Sequence, residues 1–106
     1  MIEIRHKETG AVLLTLAADC LAGENLDHSH LVGADLQGVA LRDVNFHRAD
    51  LAGANFSHSQ MMGAVLRHAN VAGANFEGVS LVTVNITFAN FSQAKNAEVP
   101  AFKQNV

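Results

Sequence analysis

The sequence predicts an all-β chain wound into a narrow four-sided (quadrilateral) β-helix, and three periodic observations carry that expectation. A large apolar residue recurs every five positions from Leu26 to Phe91. A smaller residue precedes most of these by two positions, and most glycines follow one by two. A period of five matches neither an α-helix, whose neighbours lie three and four apart, nor a strand, which alternates every two.

The large set comprises Leu26, Leu31, Leu36, Leu41, Phe46, Leu51, Phe56, Met61, Leu66, Val71, Phe76, Leu81, Ile86 and Phe91, 14 apolar residues without exception. The small set runs Ser29, Ala34, Val39, Val44 and onward in the same register to Ala89, with Glu24 the exception at its start. If each pentad forms one side and turns at its end, four sides close a twenty-residue coil. Successive coils then stack at about 4.8 Å, the spacing of paired β-strands. Such stacking places Leu26, Phe46, Leu66 and Ile86 in one internal ladder and Leu36, Phe56 and Phe76 in another. The chain has no Trp or Tyr, as a narrow core requires.

The corners follow from the glycines. Seven of the eight, at 23, 33, 38, 53, 63, 73 and 78, fall in the third place of the expected turn, where a type II turn needs positive φ. His28, Asp43, Arg48, His58, His68, Thr83 and Phe88 take that place in other pentads. Those corners are expected to use another turn or to carry strain. Between the small and large residues stand Asn25, Asp35, Asn45, Asp50, Asn55, Asn70, Asn75, Asn85 and Asn90. Their side chains are expected to accept hydrogen bonds from nearby turn backbone.

The wording of these pentads resembles a known family. Ala34-Asp35-Leu36-Gln37-Gly38, Ala49-Asp50-Leu51-Ala52-Gly53, Ala54-Asn55-Phe56-Ser57-His58 and Ala74-Asn75-Phe76-Glu77-Gly78 are similar to the pentapeptide repeat family, whose pattern is Ala, Asp or Asn, Leu or Phe, then two variable residues. Ser59-Gln60-Met61, Val79-Ser80-Leu81 and Val84-Asn85-Ile86 keep the inward sizes while departing from that wording. The resemblance spans residues 19–95. It implies a right-handed quadrilateral β-helix, a pentapeptide repeat solenoid, and supplies a handedness that spacing leaves open. Some members of the family mimic double-stranded DNA and bind DNA gyrase, and several dimerise through their C-terminal ends.

At 106 residues the chain is expected to form one domain in three parts. Residues 1–18 are expected to make an N-terminal β cap, because Ile2 and Ile4, then Val12, Leu14 and Leu16, alternate with other residues around a turn at Lys7 to Gly10. Residues 19–95 hold the repeat. Residues 96–106 are expected to form a C-terminal cap or dimerisation tail, since Asn96 occupies a large-residue position that would be costly if buried. Phe88, Phe91 and Phe102 either close that end or form the apolar centre of a two-fold homodimer.

Function is read mainly by exclusion. A net charge of −3, with both signs interspersed and no Lys/Arg run, points away from direct nucleic-acid or membrane binding. The start of the chain lacks a signal-peptide pattern, and Cys20 is alone, so a cytoplasmic protein is expected. The sequence has no phosphate-binding loop, paired-cysteine motif or nucleophilic triad, so neither an enzyme nor a cofactor is expected. Asp27-His28, His47-Arg48 and Arg67-His68 take matching places in successive coils. Arg interrupts the histidines in both columns and Asp27 is the sole carboxylate, so no metal site is expected there.

His28, His47, Arg48, Arg67 and His68 are therefore either a solvated face or the surface for an unidentified protein partner. The expected function is a non-enzymatic rigid protein-interaction or structural scaffold, with a gyrase-binding DNA mimic as the alternative. That mimicry needs a long acidic rod. Leu26 to Lys95 carries five acidic and four basic residues, over a rod of only about 17 Å at β spacing.

Overall fold

The structure, a computed structural model, describes residues 1–103; the Phe102 side chain and residues 104–106 of the expected tail lie outside the described residues. The alternating N-terminal segment forms strands β1 (Ile2–Arg5) and β2 (Val12–Leu16), paired antiparallel with Ile2 opposite Leu16 and Ile4 opposite Leu14. Ile4, 2% exposed, joins the apolar core. Two backbone bonds lay this hairpin across the first repeat coil, from Lys7 N to Gly33 O and from Asp35 N to Arg5 O, both 2.8 Å. The Lys7 ammonium reaches one coil further, to the Gly53 carbonyl.

Beyond the hairpin the chain stacks on itself every twenty residues. Single-residue parallel bridges join Asn25 to Asn45, His30 to Asp50, Asp35 to Asn55, and so on to Asn75 with Lys95. Each is closed by two backbone bonds: Leu26 N donates to Asn45 O at 2.7 Å, and Asn45 N donates to Glu24 O at 3.0 Å. The large residues from Leu26 to Ile86 all point into the core and are buried, while Phe91 is half-buried at its end. Phe56 and Phe76 stack with ring centres 5.0 Å apart and planes at 9°.

The expected fold class, an all-β right-handed quadrilateral β-helix, is corrected by this backbone. Among the described residues the only sheet is the two-stranded antiparallel hairpin, which is neither closed nor curled. The repeat contains turns and isolated bridges but no strand. The reason is the shortness of each side. A pentad places two residues in its turn and commonly one in a bridge, whereas a strand needs consecutive extended residues.

The turn chemistry agrees with the expectation more closely. All nine Asn and Asp side chains named above accept a hydrogen bond from the amide two residues on, such as Asn45 Oδ1 from His47 N at 3.0 Å. His28, Asp43, Arg48, His58, His68 and Phe88 all adopt positive φ, between 58° and 60°. Thr83 does not join them. Its β-branched side chain makes left-handed backbone costly.

The repeat ends at Asn96, which is exposed, has a φ of 57° and donates from Nδ2 to Asn75 Oδ1 at 3.0 Å. The burial cost attached to this polar residue is thereby avoided. Ala97 and Val99 then pack against the core, and a short 3₁₀ turn follows at Ala101–Lys103. Lys103 Nζ donates to Val84 O at 2.8 Å.

Candidate partner-binding face

One corner of the stack gathers the polar and aromatic side chains singled out from sequence. His28, Arg48, His68 and Phe88 occupy its left-handed turn position in successive coils, preceded by Asp27, His47, Arg67 and Thr87. Bonds between coils fix this corner: His28 N to His47 O at 2.8 Å, Arg48 N to Arg67 O at 2.9 Å and His68 N to Thr87 O at 3.0 Å. Below it, Asn25 Oδ1 accepts from Asp27 N at 3.1 Å and from Asn45 Nδ2 at 3.0 Å. The side chains therefore project from backbone with little freedom to rearrange.

Four rings form a ladder along the corner. His28 meets His47 edge-on at 5.8 Å between ring centres, His47 meets His68 at 6.1 Å, and His68 stacks on Phe88 at 5.0 Å. Phe88 is 62% exposed. It is the last rung of the ladder. Loss of hydration holds the His68 pKa below its usual 6.5, and the Arg48 and Arg67 guanidiniums and the His47 ring push in the same direction. The two arginines thus act on the ladder through their charge, while the three histidines touch in sequence.

Asp27 has a larger part than its place in the sequence suggested. Its Oδ1 lies 2.7 Å from His28 Nδ1 and 3.0 Å from His47 Nδ1, so one carboxylate oxygen serves two rings. The twenty-residue step between 27 and 47 was the available signal, but only rotamers could show the rings converging.

At the C-terminal end Phe91 packs on Phe76 with ring centres 5.5 Å apart. Beside it an open hollow is lined by Glu77, Ser80, Val82, Asn96 and Glu98. Phe102, the third member of that expected group, has its side chain outside the described residues.

The pentad register and its Asn/Asp turns agree with a family model for pentapeptide repeats, which matches in eight copies over residues 21–58, 29–67 and 59–95. The chain belongs to the pentapeptide-repeat family. No curated protein matches it. Among solved structures, it is similar to a pentapeptide repeat protein of the Arabidopsis thaliana thylakoid lumen, with 32% identity and a TM-score of 0.71, covering 76% of this chain and 57% of that one.

It is also similar to HetL of the cyanobacterium Nostoc, a pentapeptide repeat protein involved in regulating heterocyst differentiation, at 27% identity and a TM-score of 0.44, over 71% of this chain and 37% of HetL. QnrB1, a plasmid-mediated fluoroquinolone resistance protein, matches at 24% identity and a TM-score of 0.45, over 70% of this chain and 49% of that one. The chain thus covers just over half of the Arabidopsis protein and less of the other two. No helix among the described residues is long and apolar enough to cross a membrane.

Proposed function

We propose that this pentapeptide-repeat chain is a rigid protein-interaction scaffold whose partner surface is the corner bearing His28, His47, Arg48, Arg67 and His68. The observation that carries the reading is the ring ladder, which ends on an exposed Phe88 and is presented from backbone bonded to the next coil. Aromatic and Arg side chains are the types most enriched at protein interfaces. A preformed surface also loses little conformational freedom on binding. The occupant is a protein rather than nucleic acid or membrane, because the repeat carries near-balanced charge with no basic run. The same balance leaves the gyrase-binding alternative without a supporting observation.

The chain acts in the cytoplasm, where its free, exposed Cys20 stays reduced, and as a homodimer joined through its C-terminal ends around Phe91. Affinity capture with quantitative mass spectrometry tests the partner face. Proteins retained by the native chain should be lost with a triple Arg48→Glu, Arg67→Glu, Phe88→Ala variant and kept by a Gln37→Arg, Glu77→Arg control; equal retention by all three sinks the assignment. Sedimentation equilibrium tests the dimer, and a monomer at every concentration rules it out.

A further inference from the structure

We propose that, contrary to the expectation from sequence, Asp27, His28 and His47 form a binding site for one divalent transition-metal ion of the zinc class. Their candidate ligand atoms all lie within 4.8 Å of one another, and no other group of three His, Cys, Asp or Glu residues comes together in this way among the described residues. An ion with bonds of about 2.0–2.2 Å to two imidazoles and a carboxylate needs its ligand atoms about 3.4 Å apart in a tetrahedral shell. In that shell the Asp27 Oδ1 contacts, at 2.7 and 3.0 Å, would open by about 0.7 and about 0.4 Å.

The chemistry of the ion-free arrangement also points to a cation. An ionised carboxylate can only accept, so each neutral ring that bonds to Asp27 presents its proton at Nδ1. With those protons carried on Nε2 instead, two nitrogen lone pairs and one carboxylate oxygen are available within 4.8 Å of one another. An ion entering there forms two Nδ1 bonds and one Oδ1 bond, while each neutral ring exchanges one tautomer for the other. No net proton is released.

The donor set of two imidazoles and one carboxylate suits zinc, cobalt, nickel or copper better than magnesium or calcium, which favour oxygen. The backbone needs little movement. Asn25 and Asn45 hold the Asp27 and His47 amides, and His28 N is bonded to His47 O across the coils. The rings are partly open to solvent, with side-chain exposures of 62% for His28 and 30% for His47, so the fourth position is left to water.

The test is calorimetric titration of the tag-free chain with Zn²⁺, followed by the visible absorption of Co²⁺ at the same site. One ion per chain is expected, with affinity reduced by more than about tenfold in Asp27→Asn and in His47→Asn, and unchanged in His30→Asn. Because substitutions can disturb the turns, ¹⁵N spectra of the native chain provide a second readout. Added Zn²⁺ should shift Nδ1 of His28 and His47 and leave His58 in place. Absence of saturable binding, equal affinity in the Asp27 and His47 variants, or shifts spread over all the histidines would overturn the proposal.

Discussion

The Gly63 amide donates to the Thr83 hydroxyl oxygen at 3.2 Å. Its register partner is the Val82 carbonyl, as Gly23 N uses Arg42 O and Asp43 N uses Met62 O in the coils before it. Thr83 stands where other corners carry Gly or a left-handed residue, and its hydroxyl takes over the role of the missing carbonyl. Thr83→Gly should restore the ordinary turn and slow exchange of the Gly63 amide. Thr83→Val should speed it, because the acceptor is gone. Amide exchange followed by NMR checks both, and an unchanged Gly63 rate in Thr83→Val refutes the bond.

Ser59 occupies a small inward position, only 5% exposed, and its hydroxyl has no hydrogen-bond partner. Most sister positions carry Ala or Val. Removing an orphaned buried hydroxyl relieves a desolvation penalty, so Ser59→Ala should stabilise the chain by about 1 kcal/mol. Urea unfolding measures this, and a loss of stability would show that the hydroxyl is satisfied in solution.

The stack of Phe56 on Phe76 fills the core where two coils meet. Phe76→Ala should cost about 3–5 kcal/mol through lost burial and a residual cavity. Phe76→Leu, a size the same register accepts at Leu36, should cost clearly less. The two unfolding midpoints decide whether ring volume or merely apolar character is needed.

Gly33 links the hairpin to the first coil, with its φ at +72° and its α-carbon facing the His6 ring. Gly33→Ala should cost about 1–2 kcal/mol from the left-handed backbone alone. The added methyl also collides with the His6 ring, so the bond from Lys7 N to Gly33 O should weaken. Faster exchange at Lys7, partly reversed by adding His6→Ala, is the expected outcome.

The lowered pKa of His68 has a definite sign in stability. Between its folded value and the unfolded value near 6.5, the unfolded chain binds more protons, so stability rises with pH across that window and is lost on acidification. Moving from about pH 7.5 to about pH 5.5 should therefore destabilise the native chain more than His68→Asn, which cannot titrate and tolerates left-handed backbone. Urea midpoints at the two pH values give the comparison. Equal losses would show that neither lost hydration nor the nearby Arg48, Arg67 and His47 lowers the His68 pKa.

Much of this arrangement is legible in the sequence. The step of five identified Leu26, Phe46 and Leu66 as inward residues, and the Asn and Asp before the large positions announced their own turn bonds. Those features are local, or repeat identically, so a short stretch of sequence determines which way each side chain faces. Less legible was how far each side departs from a strand. The pentad wording says where the chain turns but not how few residues remain extended between turns.

By itself, then, the sequence determined the repeat, its family and its apolar ladders, because turn preference and burial act within each pentad. Only the tertiary structure decided that Phe88 stacks on His68, that Thr83 lends its hydroxyl to Gly63, and that Asp27 is shared by His28 and His47. The His47 contact and the others with it join residues twenty apart. They depend on rotamers and on the stacking of coils, which a period cannot encode.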